Sequence, residues 1–319
     1  MEINQEELRK QCKKFFWCET ISDCQDLLEI YIECFFQVVQ NHHNDEIKNH
    51  AEYDAKIVIQ MMLTKALNLK SVLFGVNHIS KNGKKLNSII DPTIVASLIR
   101  NIYETTGMFN LIYRETKNDD EKKILYLLWV HAGLAYRQKF ETTITKEENQ
   151  IKSDNEKKQM ANIQLEIENN PLFKKLDKKN QGKIRTKIKE KDYLMMFNNL
   201  EIEFLSWREI VNSMKIKNGK LDTTYTYFSL YSHPSNVSVF QFSNMFEKNN
   251  EAYPDLVIFN LQIAFYMFSV FIADYIHLFP KVIKTYEEME LAEQIVINFH
   301  NAGARGHEYD INETWKHLG

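Results

Sequence analysis

Apolar residues recur every three or four positions along almost the whole chain, a spacing that predicts helices. Ser22 and Gln25 form a capping-box pattern, after which Leu27, Leu28, Tyr31, Phe35 and Val38 line one face. A second helix spans about Ala51 to Leu69, with Ile57, Met61 and Met62 among its apolar positions. Asp91 is a good N-cap, and Pro92 suits the first helical position because a missing N–H costs nothing there. The helix they open puts Val95, Leu98, Ile99, Ile102, Phe109 and Ile112 on one face. Arg100, Glu104, Gly107, Leu111 and Arg114 follow in steps of four, three, four and three. Two arginines and a glutamate therefore share a stripe beside the apolar face.

A partner helix begins at Asp119 and Asp120 and runs to about Phe140, with Leu125, Leu128, Trp129, Ala132 and Tyr136 toward the core. Between Ser71 and Ile90 the periodicity breaks at Asn82-Gly83, flanked by VLFGV and LNSII, which predicts a small hairpin. Glu141 to Asp192 is charged and poor in apolar residues, and reads as a helical insertion. Hydrophobic helices resume near Tyr193 (YLMMFNNLEIEFLSWREIVNSM), then at Tyr225–Tyr231, Leu256–Phe279 and about Tyr286–Phe299. The expected fold is an all-α, multi-helix bundle in a single domain over 1–319. It has N-terminal helices at 1–70, a core bundle at 91–140 and 193–300, and the charged helical insertion at 141–192.

Leu256–Phe279 is long and apolar enough to resemble a membrane span. Asn260, Ala264, Met267, Phe271 and Asp274 nevertheless fall on one stripe, so two polar groups look inward, and a buried central helix is the preferred reading. A membrane-associated protein remains a reading that rests on this helix alone. Few breakers (nine Gly, five Pro in 319 residues) agree with helices throughout. A net charge of −3 argues against an overall basic nucleic-acid binder while leaving local patches open. Cys12, Cys18, Cys24 and Cys34 form no CxxC and read as buried or spare thiols in a reducing cytosol. The N-terminal MEINQEELRKQCKK has no apolar run of the signal-peptide kind, so a cytoplasmic location is expected.

Candidate chemistry gathers at Tyr225–Asn236, YTYFSLYSHPSN. Pro234 should end the helix at or before His233, leaving the imidazole at a helix terminus that favours its cation. Pro171–Tyr193 carries nine Lys or Arg residues, Lys183 and Arg185 among them, against three acidic ones, a local charge of +6. Such a run tracks a nucleic-acid backbone or is simply a solvated face. His43, Glu46, His50 and Asp54 would align on a continuous helix, but HHNDE reads as a polar break, and no metal site is expected. Nothing matches a phosphate-binding glycine loop, a GxSxG elbow or a dinucleotide fingerprint, so no cofactor is expected.

The Arg-x-x-x-Glu helix, the amphipathic helix after it, the Asn170-Pro171-x-Phe173 element and the Ser229-x-x-x-His233 pattern resemble an uncharacterised bacterial helical family related to the HEPN group (higher eukaryotes and prokaryotes nucleotide-binding). The resemblance covers roughly Asp91 to His277 through short motifs. It implies a helical bundle, a homodimer, a role in toxin–antitoxin or phage-defence systems, and RNA as substrate. Active HEPN-like proteins are metal-independent ribonucleases with an Arg four to six residues before a His. This chain departs from that pattern: the corresponding positions hold Tyr227, Phe228 and Ser229, and Arg305 precedes His307 by only two. Under the resemblance, Arg100 or Arg114 would supply the cation, with Arg100, Glu104 and His233 as the catalytic set. Arg114, Tyr227, Lys183 and Arg185 would contact substrate. His233 would take the ribose 2′-OH proton and Arg would stabilise charge on the phosphate. The alternative is a non-catalytic helical interaction module for a protein or nucleic-acid partner, in which Arg100 and Glu104 join a Tyr or His of the 225–233 helix in a network that fixes the packing.

Overall fold

Side-chain caps set where the helices start. In this computed structural model, which describes residues 5–217, 219, 221–246 and 252–318, Thr20 Oγ1 accepts the Asp23 N–H at 3.1 Å while the Asp23 carboxylate accepts the Thr20 N–H at 3.0 Å. The box is thus Thr20–Asp23, and the first long helix begins at Ile21 rather than from the Ser22–Gln25 pattern. Asn49 caps the next helix through the Glu52 N–H, and Asp91 Oδ1 accepts from the Thr93 N–H at 2.8 Å.

Two compact units result. The first opens with α1 (Gln5–Phe16), α2 (Ile21–His42), α3 (His50–Val72), strands β1 (Val76–Ile79) and β2 (Lys85–Ile89), and α4 (Pro92–Phe109). The second, Asn110–Ser213, holds a π turn (Asn110–Arg114), then α5 (Asp119–Arg137), α6 (Glu147–Asn169), α7 (Pro171–Lys175) and α8 (Lys178–Glu190). It closes with β3 (Met195–Asn198), β4 (Glu201–Phe204) and α9 (Ile210–Ser213). The chain then returns to the first unit with α10 (Thr224–Ser232), α11 (Asn236–Asn244), α12 (Ala252–Leu278), α13 (Ile283–Glu287) and α14 (Leu291–Ala304). Among the described residues, helices with only two small hairpins make this an all-α multi-helix fold. Where the sequence suggests one domain with an insertion at 141–192, the division falls at 110 and 213, because α5 packs with α6, α7 and α8.

In the first unit α12 is the helix around which the others assemble, packing on α4, α14 and α2. Val257, Leu261, Ala264, Phe265, Met267, Phe268 and Phe271 are fully buried, as are Asn260 and, at 1% exposure, Asp274. Aromatic contacts bind it to its neighbours: Phe35–Phe268 at 5.5 Å, Phe109–Phe271 at 4.7 Å and Tyr31–Phe265 at 5.8 Å between centroids. Pro254–Leu278 is long and apolar enough to cross a membrane, and 72% of its most apolar window is buried within the protein. Asp274 meets Arg305 at 2.7 Å, and Arg305 also bonds Asn301 at 3.1 Å. All four cysteines are free and buried.

The predicted Asn82-Gly83 hairpin is present as β1–β2, with Gly83 at φ +80 in the turn. The Tyr193 stretch differs from expectation. It forms the β3–β4 hairpin and the short α9 rather than a long helix. Met195, Phe197 and Ile202 are buried on alternating positions, and Asn199 turns the chain at φ +57, a conformation asparagine tolerates better than most residues. Leu125, Leu128 and Ala132 are buried on α5 as expected, with Ile124, His131 and Ala135 beside them, whereas Tyr136, expected in the core, is exposed with Lys139 Nζ 4.0 Å from its ring centroid. The last long helix starts at Leu291, after a separate turn of helix at α13, rather than at Tyr286.

Candidate functional site

The polar stripe on α4 finds its partner on α10. Arg100 Nε donates to Glu104 Oε1 at 3.0 Å, the i,i+4 pair that the sequence spacing allows. Arg100 also donates to the Tyr225 hydroxyl at 2.7 Å, and its guanidinium lies 4.8 Å from the centre of the same ring. Tyr103 packs on Tyr225 at 5.9 Å. Lys65 of α3 donates to Asn101, and burial pulls its ammonium below the ordinary value while the Glu104 carboxylate acts against that. The network therefore joins α3, α4 and α10. The Arg100 and Glu104 side chains keep 22% and 26% exposure, so the cluster is neither sealed in the core nor free in solvent.

His233 lies outside this network. Pro234 follows the helix end as expected, and His233 is the residue that closes α10, with its N–H on the Ser229 carbonyl at 3.3 Å. Its side chain is exposed. Eight residues separate it from Tyr225, about 12 Å along a helix axis, whereas a general base must come within about 3 Å of the proton it takes. Ser232, beside it, meets Ser97 of α4 at 3.3 Å. The α4–α10 seam thus carries Arg100, Glu104 and Tyr225 toward one end and the two serines and His233 toward the other.

The remaining residues suggested by the sequence are dispersed. The Glu115 N–H bonds the Asn110 carbonyl five residues back, forming the π turn that ends in Arg114. Gly107 is already buried on α4 and Leu111 within the turn, and the turn breaks the 3.6-residue register, so Arg114 does not continue the stripe as a regular helix would. Tyr227 is half-buried, 4.9 Å from Tyr231 and 5.8 Å from Phe259 between centroids. Burial, then Tyr231, push its hydroxyl pKa up. That hydroxyl makes no hydrogen bond of acceptable geometry among the described residues.

Lys183 donates to the Ile202 carbonyl at 2.6 Å, Arg185 pairs with Glu168 at 2.8 Å, and the buried Lys187 pairs with Asp192 at 2.5 Å. Three of the nine cations in the basic run are therefore committed to local partners. The Asn170-Pro171-x-Phe173 element has a local explanation as well. Asn170 Oδ1 caps α7 through the Leu172 N–H at 2.8 Å, Pro171 takes the first turn, and Phe173 enters the core. His43 follows the end of α2 and His50 opens α3, so HHNDE is a break between helices. Lys65 and Asn101 are members of the network that the sequence did not single out.

A feature of the α10–α11 segment emerges only with the burial pattern. Thr223 to Phe246 contains no Asp, Glu, Lys or Arg, in a chain of which 26% is charged. Leu230, Val237, Val239, Phe240 and Phe246 there are 41%, 43%, 60%, 61% and 58% exposed. Comparison with family models, curated proteins and solved structures gives no match.

Proposed function

We propose that this chain is a non-catalytic helical interaction module that docks a protein partner on its α10–α11 surface. The observation that carries this reading is the uncharged run Thr223–Phe246 with its five exposed large apolar side chains. Apolar side chains grouped on a surface mark protein contacts, whereas a nucleic-acid face is built around cations that neutralise phosphates. The Arg100–Glu104–Tyr225 network then has a mechanical role. It ties α10 to α4, so that the docking surface is presented on a rigid seam.

Ribonuclease activity of the HEPN-like type is the second reading, and one observation favours it: His233 is an exposed imidazole at the end of the helix whose other end holds Arg100 through Tyr225. Two arms of one experiment separate the readings. Wild type, Phe240→Asp and His233→Ala are compared by affinity capture from the native host and by an RNA degradation assay with and without EDTA. The docking reading expects a discrete protein retained by wild type and His233→Ala, lost with Phe240→Asp, and no RNA cleavage. RNA cleavage by wild type that disappears in His233→Ala would replace it with the nuclease. Sedimentation analysis of the same samples shows whether the retained protein is a second copy of this chain.

A further inference from the structure

The second unit contains a cleft that neither the α4–α10 network nor the docking surface uses. It lies among α5, α6 and α8, has a volume of about 440 Å³, and is lined by His131, Gln164, Glu168, Arg185, Lys189 and Lys191. Met160, Ala135 and Ile188 supply an apolar wall. That size suits a small organic ligand.

The charges in the cleft do not balance. Its one carboxylate, Glu168, is paired with Arg185 at 2.8 Å, and the Arg185 guanidinium also lies over Phe173. Among the described residues, Lys189 and Lys191 have no ion-pair or side-chain hydrogen-bond partner, so two positive charges face the space uncompensated. Cations in the last turn of a helix complement its dipole, and this accounts for part of the arrangement. It does not account for His131 of α5, which is 3% exposed, lines the cleft, and sits 3.2 Å from the Gln164 amide nitrogen. Burial, then the Lys191 charge, lower the His131 pKa, so the positive field of the cleft reaches the ring.

Lys191 itself stands at φ +60, ψ +44, the left-handed position after α8 where glycine is the usual residue. A lysine held there against its backbone preference is the kind of local strain that collects at binding sites.

We propose that this cleft binds a small organic phosphate. The phosphate head is held by Lys189, Lys191 and the Gln164–His131 pair, and the apolar body lies against Met160, Ala135 and Ile188. The site is independent of the docking surface and stands or falls separately from it.

Calorimetric titration of the full chain at fixed ionic strength tests the proposal, with phenyl phosphate as probe, inorganic phosphate as the head alone, and an unphosphorylated RNA ten-mer as the competing class. Phenyl phosphate should bind more tightly than inorganic phosphate. Lys189→Ala/Lys191→Gly should weaken it at least about tenfold, the loss expected from two charge-assisted contacts. Lys191→Gly alone should keep or raise Tm, because glycine relieves the left-handed backbone, so weaker binding there cannot be ascribed to unfolding. Lys174→Ala/Lys178→Ala, which removes the same charge elsewhere in the unit, should leave binding within about twofold of wild type. Equal weakening by that control, an unchanged affinity in Lys189→Ala/Lys191→Gly, no preference for phenyl phosphate over inorganic phosphate, or binding of the RNA alone would each overturn the proposal.

Discussion

Replacing Arg305 should be among the most damaging single changes in the first unit. The Arg305 guanidinium and the Asp274 carboxylate are each 1% exposed and meet at 2.7 Å. Arg305 further donates to Asn301 at 3.1 Å and to the Val270 carbonyl at 3.4 Å, and lies 4.7 Å from the centre of the Tyr309 ring. Arg305→Met keeps most of the side-chain volume but takes the guanidinium away from the buried Asp274 carboxylate. Breaking a buried pair from one side costs about 3–5 kcal/mol, mainly through the uncompensated charge left behind. At about 2–4 °C per kcal/mol for a unit of this size, Tm should fall by roughly 6–20 °C. Asp274→Leu should be comparably harmful. The double variant Asp274→Leu/Arg305→Met should recover most of the loss, since an apolar replacement of a whole buried pair is often neutral or stabilising. Thermal and urea melts of the four proteins complete the cycle. A loss below about 2 °C in Arg305→Met, or a double variant as destabilised as the sum of the singles, would refute the reasoning.

Three further outcomes can be checked directly. His300 is fully buried with Nδ1 3.0 Å from the Tyr31 hydroxyl, and burial lowers its pKa to about 3. The folded state keeps it neutral while the unfolded chain protonates it below about 6.5. Stability is thus complete above that pH and declines as pH falls toward 3, by about 2 kcal/mol at pH 5. The slope of stability against pH between 6.5 and 4 should flatten in His300→Gln, and an unchanged slope would contradict this assignment. Arg100→Ala and Tyr225→Phe, run as a double-mutant cycle by urea unfolding, should couple by about 1 kcal/mol, reduced from a buried charged hydrogen bond by partial exposure. Zero coupling would remove the mechanical role given to that network. Asn199→Gly should hold or raise stability because the turn residue is left-handed, and thermal melts showing a clear loss would argue against the β3–β4 turn as described.

Much of the architecture was legible where strong local chemistry acts alone. Asp91-Pro92, Asn82-Gly83 and Pro234 each impose a backbone choice within a few residues, and each boundary is where it was expected. The inward stripe of Asn260 and Asp274 likewise announced a buried α12; Asp274 meets Arg305 there, while the fully buried Asn260 amide makes no hydrogen bond among the described residues. The run from Tyr193 reads as helix in the sequence but forms a hairpin, because short apolar stretches fit a helix or a strand equally. Only the turn at Asn199-Leu200, with burial alternating at Met195 and Phe197, decides between them. The Arg100–Glu104 pair follows from spacing on one helix, but Lys65 lies on α3 and enters only through tertiary packing. The basic run illustrates the same limit. Its cations are plain in the sequence, while the partners of Lys183, Arg185 and Lys187, namely the Ile202 carbonyl of β4, Glu168 of α6 and Asp192 just after α8, become apparent only in the folded unit.

The central claim is that a protein partner sits on the uncharged α10–α11 surface, and site-specific photocrosslinking in the native host tests it most directly. A benzophenone side chain replaces Phe240, and separately Trp17, which is 62% exposed on a different part of the first unit. The account predicts a discrete protein adduct from position 240 that is absent from position 17 and disappears when Val237→Asp is added. No adduct at position 240, the same adducts at both positions, or crosslinking of position 240 to RNA alone would contradict it.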